Sequence, residues 1–446
     1  MSLPRAVQNA SASEIILAAS RLRNTFRGFE WLPATHPYAG NVVDALRRDA
    51  LAQAVGHSAL AEYIAASAPL HCLDGWAYLS RAVSALLNGD EFTAIHMAYY
   101  AELRASLSFL ASVGIGIFSG QHFSIADQAQ VYQFGGKTHT VCWTALIEWA
   151  RHRPNVSALF ELVAVNQRTI NDWFAAANQS SGGTSAALAE EWLQSWSIDL
   201  QQLHPTSNAA SHDQRLRNNA SYRPHRLPKA PAALNTSHAL ATIIEFWQGL
   251  EPDEYDRFPV LDRFILRNTM ELSFTSTTGL SLPNPRFTDF IDRTLRNLGL
   301  TQDVRLRAFL LRTAEPDDHA ILQQASIANN PLNPRALPII ARAILLLRLS
   351  SSSSQRLLDR AGIQGEEIKF WWRQLGEEVG LWSSGDEAPD SMIFLWADVE
   401  AEFESAKNWC VANTPVSSVW EARRDISIPV AQLSLFDRVG LWSLGL

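Results

Sequence analysis

Apolar residues recur along most of the chain at spacings of three and four, the period of an amphipathic α-helix. The pattern is strongest in two neighbouring segments, residues 74–89 and 90–114, and each of them ends at a glycine, which commonly terminates helices. Acidic residues open the second segment, where the helix dipole favours negative charge. Further segments of the same period precede and follow this pair. The pattern therefore predicts a mainly α-helical protein.

One segment, residues 115–141, departs from the helical period. Its apolar positions alternate and Gly135-Gly136 offers a turn, so the sequence predicts a small β-hairpin near 115–142. In this hairpin, residues 122–126 or 130–134 would pair with 137–142.

The tetrapeptide GGKT at 135–138 is similar to part of a phosphate-binding loop. That loop requires a glycine where Val131 stands, and a helix must follow it directly. The following residues, THTVCW, are typical of a strand. The sequence therefore favours a hairpin turn over a nucleotide site.

The length of 446 residues exceeds what a single hydrophobic core usually serves. The polar stretch 275–286 is the best candidate for a boundary between domains. We expect an N-terminal helical segment at 1–74, a helical domain with the hairpin at 75–275 and a C-terminal helical domain at 287–446. The overall expectation is two helical lobes with one small β-hairpin insertion.

Composition narrows the functional classes. The formal net charge of −8 gives no global attraction to nucleic acid, so binding of that kind needs a local basic patch. The three cysteines form no C-x-x-C pair and the histidines lack ligand spacing, so no metal or cofactor is predicted. The apolar run 337–349 contains two arginines and is too short to span a bilayer. Without a recognisable secretion signal, the expected location is the cytoplasm, with no membrane partner.

One basic segment stands out in this acidic chain. Residues 204–229 carry five cationic side chains against the single acid Asp213, a local formal charge of +4. Guanidinium groups bind phosphate in a bidentate way, and a tyrosine ring can stack on a base. A structural interpretation stays open, since arginine and asparagine near a helix end often bond to buried carbonyls. The cationic residues are Arg215, Arg217, Arg223, Arg226 and Lys229.

The helix predicted at 90–114 carries polar side chains at His96, Tyr99, Glu102 and Arg104. They are either polar groups buried within a helical bundle or the face of a site that a second helix completes. Glu102 and Arg104 are accordingly candidates for contact with a ligand.

Arg217-Asn218 on a late helix, packed against the long helix AIHMAYYAELRASLSFLASVGI, resembles the HEPN superfamily. The same helix with RNNASYRP also looks like the YaaC-like proteins. HEPN proteins are all-α domains of bacterial toxin–antitoxin, CRISPR-associated and phage-defence systems. The resemblance covers roughly residues 75–275. It implies a homodimer that binds RNA or the protein partners of a defence complex.

In active HEPN ribonucleases, the arginine and a following polar residue precede a histidine. The arginine and the histidine promote metal-independent attack of a ribose 2′-hydroxyl on the adjacent phosphate. Here Arg217 and Asn218 match the first two positions, and Tyr222 occupies the histidine position after four intervening residues. His225 has seven intervening residues and lies beyond Pro224.

The resemblance thus implies catalytic positions at Arg217, Asn218, Tyr222 and His225, and any activity would be that of a metal-independent endoribonuclease. A phenol is a poor base at neutral pH, so binding is expected more than cleavage. The alternative function is a non-catalytic helical scaffold or interaction subunit of a larger complex.

Overall fold

The computed structural model describes residues 1–177, 186–196, 212–222, 236–327, 335–383, 391–413 and 419–445. Within these ranges the chain forms 21 α-helices and two small antiparallel sheets, which confirms the predicted mainly α-helical class. The N-terminal helices are α1 (Leu3–Gln8), α2 (Ala12–Arg27), α3 (Val42–Leu51), α4 (His57–Leu87) and α5 (Glu91–Ser112). Strands β1 (Ile115–Ile117), β2 (Gln121–Ala126) and β3 (Gln130–Gly135) follow.

The remaining elements are almost all helical. The next are α6 (Thr138–Arg151), α7 (Arg153–Phe160), β4 (Ala164–Val165), β5 (Arg168–Thr169), α8 (Ile170–Ala176), α9 (Ala186–Trp196) and α10 (His212–Tyr222). Then come α11 (Thr236–Gly249), α12 (Pro259–Thr278), α13 (Pro285–Asn297), α14 (Val304–Leu310), α15 (Ala320–Ala325) and α16 (Ala336–Arg360). The last are a 3₁₀ turn (Gly365–Ile368), α17 (Lys369–Glu378), α18 (Met392–Ala412), α19 (Val419–Asp425), α20 (Ser427–Leu433) and α21 (Asp437–Leu444).

Helices α4, α5 and α16 pack against one another at the centre of the fold. Close approach of α4 to α16 depends on Gly75, because a Cβ there would lie 2.5 Å from Cδ2 of Leu347. The buried apolar side chains form one continuous cluster from Ala6 to Leu444. Positions 74 and 275, where the sequence predicts boundaries, lie inside α4 and α12. The division into two lobes stays a prediction.

The run of five serines, Ser350–Ser354, lies inside α16, and four of the five are buried. Their small side chains allow α4 and α5 to approach, and their hydroxyls bond to groups on those helices. Ser351 Oγ accepts from Nε1 of Trp76 at 3.1 Å, and Ser354 lies 3.1 Å from the Ser108 hydroxyl. Each hydroxyl is thereby satisfied away from water.

The segment after α5 is a three-stranded antiparallel sheet in the order β1-β2-β3. Ile125 pairs with Val131 across the turn at 127–129. The prediction that 137–142 forms a strand is wrong. Those residues begin α6, in which buried Val141, Cys142, Ala145, Leu146 and Trp149 repeat at helical spacing.

Gly135-Gly136 is therefore a connection from strand to helix and not a hairpin turn. Gly136 has φ of 142°, in the region that favours glycine, and a Cβ there would lie 2.4 Å from Cγ2 of Val141. The GGKT segment thus leads directly into a helix, contrary to the expectation from THTVCW.

Among the described residues, one helix is long and apolar enough to cross a membrane by length and composition, namely α16. Its most apolar window is 94% buried inside the fold. Burial on this scale is typical of a core helix.

Candidate functional site

Helix α10, which carries the Arg217-Asn218 pair, is held to the core by a buried ion cluster. Nη2 of Arg342, on α16, lies 2.6 Å from Oδ2 of Asp213, and its Nε lies 3.6 Å from Oε1 of Glu102. All three side chains are at most 1% exposed. His212 Nδ1 lies 3.0 Å from the second Asp213 oxygen. Burial alone would raise the pKa of Asp213, but the charge of Arg342 and the His212 contact hold this pKa below its ordinary value.

Four residues after Asp213, the side chain of Arg217 is enclosed by α5 and α6 and is 5% exposed. Its guanidinium carbon lies 5.2 Å from the ring centres of both Tyr99 and Tyr100, a distance typical of cation–π attraction. Nη1 donates to Oδ1 of Asn218 at 2.9 Å, and Nη2 donates to Nε2 of His139 at 3.2 Å. The structure therefore brings Arg217 and Asn218 together with three aromatic side chains from other helices.

The bond from Arg217 fixes the tautomer of His139. Because Nε2 accepts from the guanidinium, the ring proton sits on Nδ1 and is donated to the hydroxyl of Tyr99 at 2.9 Å. Burial lowers the pKa of His139, and the charge of Arg217 lowers it further. His139 is thus a neutral imidazole near pH 7.

A second histidine, His96 on α5, contacts α10 close to Arg217. Its Nδ1 is 2.5 Å from Oγ of Ser221, and this hydroxyl donates to the carbonyl of Arg217 at 2.8 Å. Burial and then the Arg217 charge lower the pKa of His96. Of the polar face predicted on α5, His96 and Tyr99 therefore contact residues of α10, the second helix, whereas Arg104 contacts α4.

An open pocket of about 530 Å³ adjoins Arg217. Tyr100, Arg104, Lys137 and His139 contribute to its wall, and none of the described residues that line it is acidic. Lys137 is exposed and precedes α6 without a side-chain cap, and the first residues of α6 line the pocket, so the N-terminus of this helix borders the same space. We call this space the α6 pocket. Its wall is cationic at Arg104 and Lys137 and apolar over much of the rest.

Arg104 is placed in this wall by two neighbours on α4. Its Nη1 lies 2.8 Å from Nδ1 of His71 and 3.4 Å from Oδ2 of Asp74. Asp74 is 51% exposed, so water weakens its attraction to Arg104.

The other predicted site residues are distributed differently. Tyr222 is 73% exposed at the end of α10, and Arg215 is exposed on the same helix. Glu102 is fully buried beside Arg342, so we assign it to the anchoring of α10 and leave it out of the ligand surface. Four predicted positions lie outside the described residues, namely His225, Arg223, Arg226 and Lys229.

Sequence reasoning did not find His139, and it set Lys137 aside by favouring a hairpin turn over a nucleotide site at GGKT. Both lie in the segment read as a hairpin, and His139 is 78 positions from Arg217 in the chain. Had a helix been predicted to begin at Thr138, the GGKT segment and His139 would have been placed together at its N-terminus. The signal for that helix is the helical spacing of apolar residues, which continues to Arg151.

The described residues contain no group of three or more histidine, cysteine, aspartate and glutamate side chains that could hold a metal ion. Comparison of the chain with family models, curated proteins and solved structures gives no match.

Proposed function

We propose that this protein binds RNA through the α6 pocket and the adjoining face of α10. The observation that carries the proposal is the convergence of Arg104, Lys137 and the N-terminus of α6 on an open space that no described acid lines. Phosphate groups of a nucleic acid backbone match this arrangement in charge and in hydrogen-bonding capacity. Because the net charge of the protein is −8, the attraction of nucleic acid depends on this local patch.

Arg217 supports the pocket from behind. Its guanidinium contacts two residues of the pocket wall, Tyr100 and His139, and no described carboxylate forms an ion pair with it. Its positive charge should therefore attract an anion bound in the pocket. The aromatic rings around the guanidinium screen this attraction less than water would.

The proposal is binding, with any cleavage weak or lost. His139 is neutral and close to Arg217, but it is already engaged at both ring nitrogens. Tyr222 occupies the position that the HEPN resemblance assigns to histidine. By the same resemblance, we propose that the protein acts as a cytoplasmic homodimer in a bacterial conflict or anti-phage defence system.

The experiment is a fluorescence anisotropy titration of a labelled RNA oligonucleotide. Replacing Lys137 by alanine removes one exposed phosphate contact, so we expect about five-fold weaker affinity and a shallower salt dependence by about 0.7 in log–log slope. Lys407→Ala, on α18, is the matched control for loss of an exposed lysine. Equal affinities of the wild type and Lys137→Ala would remove Lys137 from the site.

A second candidate function is a scaffold or interaction subunit, and one observation favours it. Large apolar side chains are exposed in the C-terminal helices, with Phe394 62%, Val411 82% and Trp420 73% exposed. Exposed apolar residues of this size commonly mark protein contacts. A wild-type protein that binds no RNA but associates with other proteins through these helices would favour this function.

A further inference from the structure

A ladder of aromatic rings lies on the faces of α4 and α5 beside the α6 pocket. The rings of Tyr78 and Tyr100 are stacked, with their centres 5.5 Å apart and their planes at 26°. The imidazole of His96 lies 4.9 Å from Tyr100 on the side toward α10. All three side chains are half-buried, so each keeps part of its surface in water.

Arginines lie over two of the three rings of this ladder. The guanidinium of Arg81 lies 5.6 Å from the ring centre of Tyr78, and that of Arg217 lies 5.2 Å from Tyr100. Arg217 is enclosed, whereas Arg81 is exposed. An exposed arginine side chain can turn away from its ring and close again on a flat ligand, since its rotamers interconvert rapidly.

The ladder and the pocket share one residue. Tyr100 stacks on Tyr78 and also lines the α6 pocket, where Arg104 and Lys137 stand. The surface thus offers cationic groups for a phosphate next to an aromatic ring with a guanidinium above it. This alternation corresponds to the alternation of phosphate and base along one nucleic acid strand.

We propose that the preferred ligand is single-stranded RNA, with one unpaired base stacked on Tyr78 beneath Arg81 while a neighbouring phosphate occupies the α6 pocket. This inference rests on the proposed RNA-binding function and specifies its substrate class. In duplex RNA each base is already stacked and paired, so its faces are not accessible to a tyrosine ring. Stacking is also tolerant of base identity, because every base has a π-face.

The test compares a labelled single-stranded oligonucleotide with a hairpin duplex of the same length, using the full chain and its Tyr78 variants. The wild type should bind the single strand at least ten-fold more tightly. Tyr78→Ala should weaken single-strand binding about ten-fold and leave duplex binding unchanged, while Tyr78→Phe should retain the wild-type affinity. Tyr255→Ala, which removes a tyrosine that is 71% exposed on the loop before α12, is the matched control.

The outcomes separate the two proposals. If the wild type binds neither RNA, the proposed function fails, and this inference fails with it. If the wild type binds both RNAs equally and Tyr78→Ala binds like the wild type, the RNA-binding function stands and the single-strand inference is overturned. Should Tyr78→Ala not fold, Arg81→Ala provides the decision, because an about three-fold loss on the single strand alone supports the stacked base and no change contradicts it.

Discussion

Replacing Arg342 by methionine is expected to lower the free energy of unfolding by about 3–5 kcal/mol, the range for breaking a buried ion pair. The substitution keeps an unbranched side chain but leaves the carboxylates of Asp213 and Glu102 without the cation that compensates them. The carbonyl groups of Ala325 and Ile327 also lose a donor, because Nη1 of Arg342 contacts them at 3.1 and 3.3 Å. Urea denaturation followed by circular dichroism measures the change.

The matched control is Arg307→Met. Arg307 forms a short pair with Asp292, at 2.6 Å, but the two side chains are 42% and 35% exposed. Exposed ion pairs contribute at most about 1 kcal/mol, so this variant should unfold close to the wild type. Equal losses in the two variants would show that the buried cluster does not anchor α10.

Replacing Arg217 by methionine should instead leave the free energy of unfolding nearly unchanged and weaken RNA binding. Arg217→Met removes a buried cation that has no described carboxylate partner and whose Nε has no hydrogen-bond partner among the described residues. Relief of the cost of burying this charge offsets the lost contacts with Tyr99 and His139, so the free energy of unfolding should change by no more than about 1 kcal/mol. Affinity for RNA should fall about thirty-fold.

The expected loss of affinity has two sources. A unit charge about 10 Å from a phosphate contributes on the order of 1–2 kcal/mol at an effective dielectric constant of about 20. Arg217 also positions His139 and Tyr100 in the pocket wall, and this order is lost with the guanidinium. Anisotropy titration and urea denaturation of the same preparation measure both quantities. A fall of several kcal/mol in stability with unchanged RNA affinity would make Arg217 a structural residue.

The helical class could be predicted from the sequence because the spacing of apolar residues can be recognised within each helix by itself. The second strong segment, predicted at 90–114, is α5 at Glu91–Ser112. The serine run at 350–354 could not be placed in this way, since serine is polar and a weak helix former. Its position in the centre of α16 depends on small size at a helix crossing, and the partners, Trp76 and Ser108, are distant in sequence.

The candidate site was predictable only where its residues are neighbours in the chain. The pair Arg217-Asn218 stands out in a basic segment, and its mutual hydrogen bond is local. His139 and Lys137 come from a segment whose threonines and Val141 favour a strand, so local propensity conflicted with the helix that packing produces. In the sequence, Glu102 and Arg104 are both charged residues on the same predicted helix, so nothing separates their roles. The structure separates them, because Glu102 is fully buried and Arg104 is only half-buried.

The most direct test of RNA binding at the α6 pocket is the affinity of the wild-type protein for a single-stranded RNA at two salt concentrations. If Arg104, Lys137 and the start of α6 hold about two to three phosphates, the logarithm of affinity should fall with the logarithm of salt with a slope of roughly −1.5 to −2. Lys137→Ala should reduce that slope by about 0.7. Absence of binding at low salt, or a slope that Lys137→Ala leaves unchanged, would contradict a nucleic acid site in this pocket.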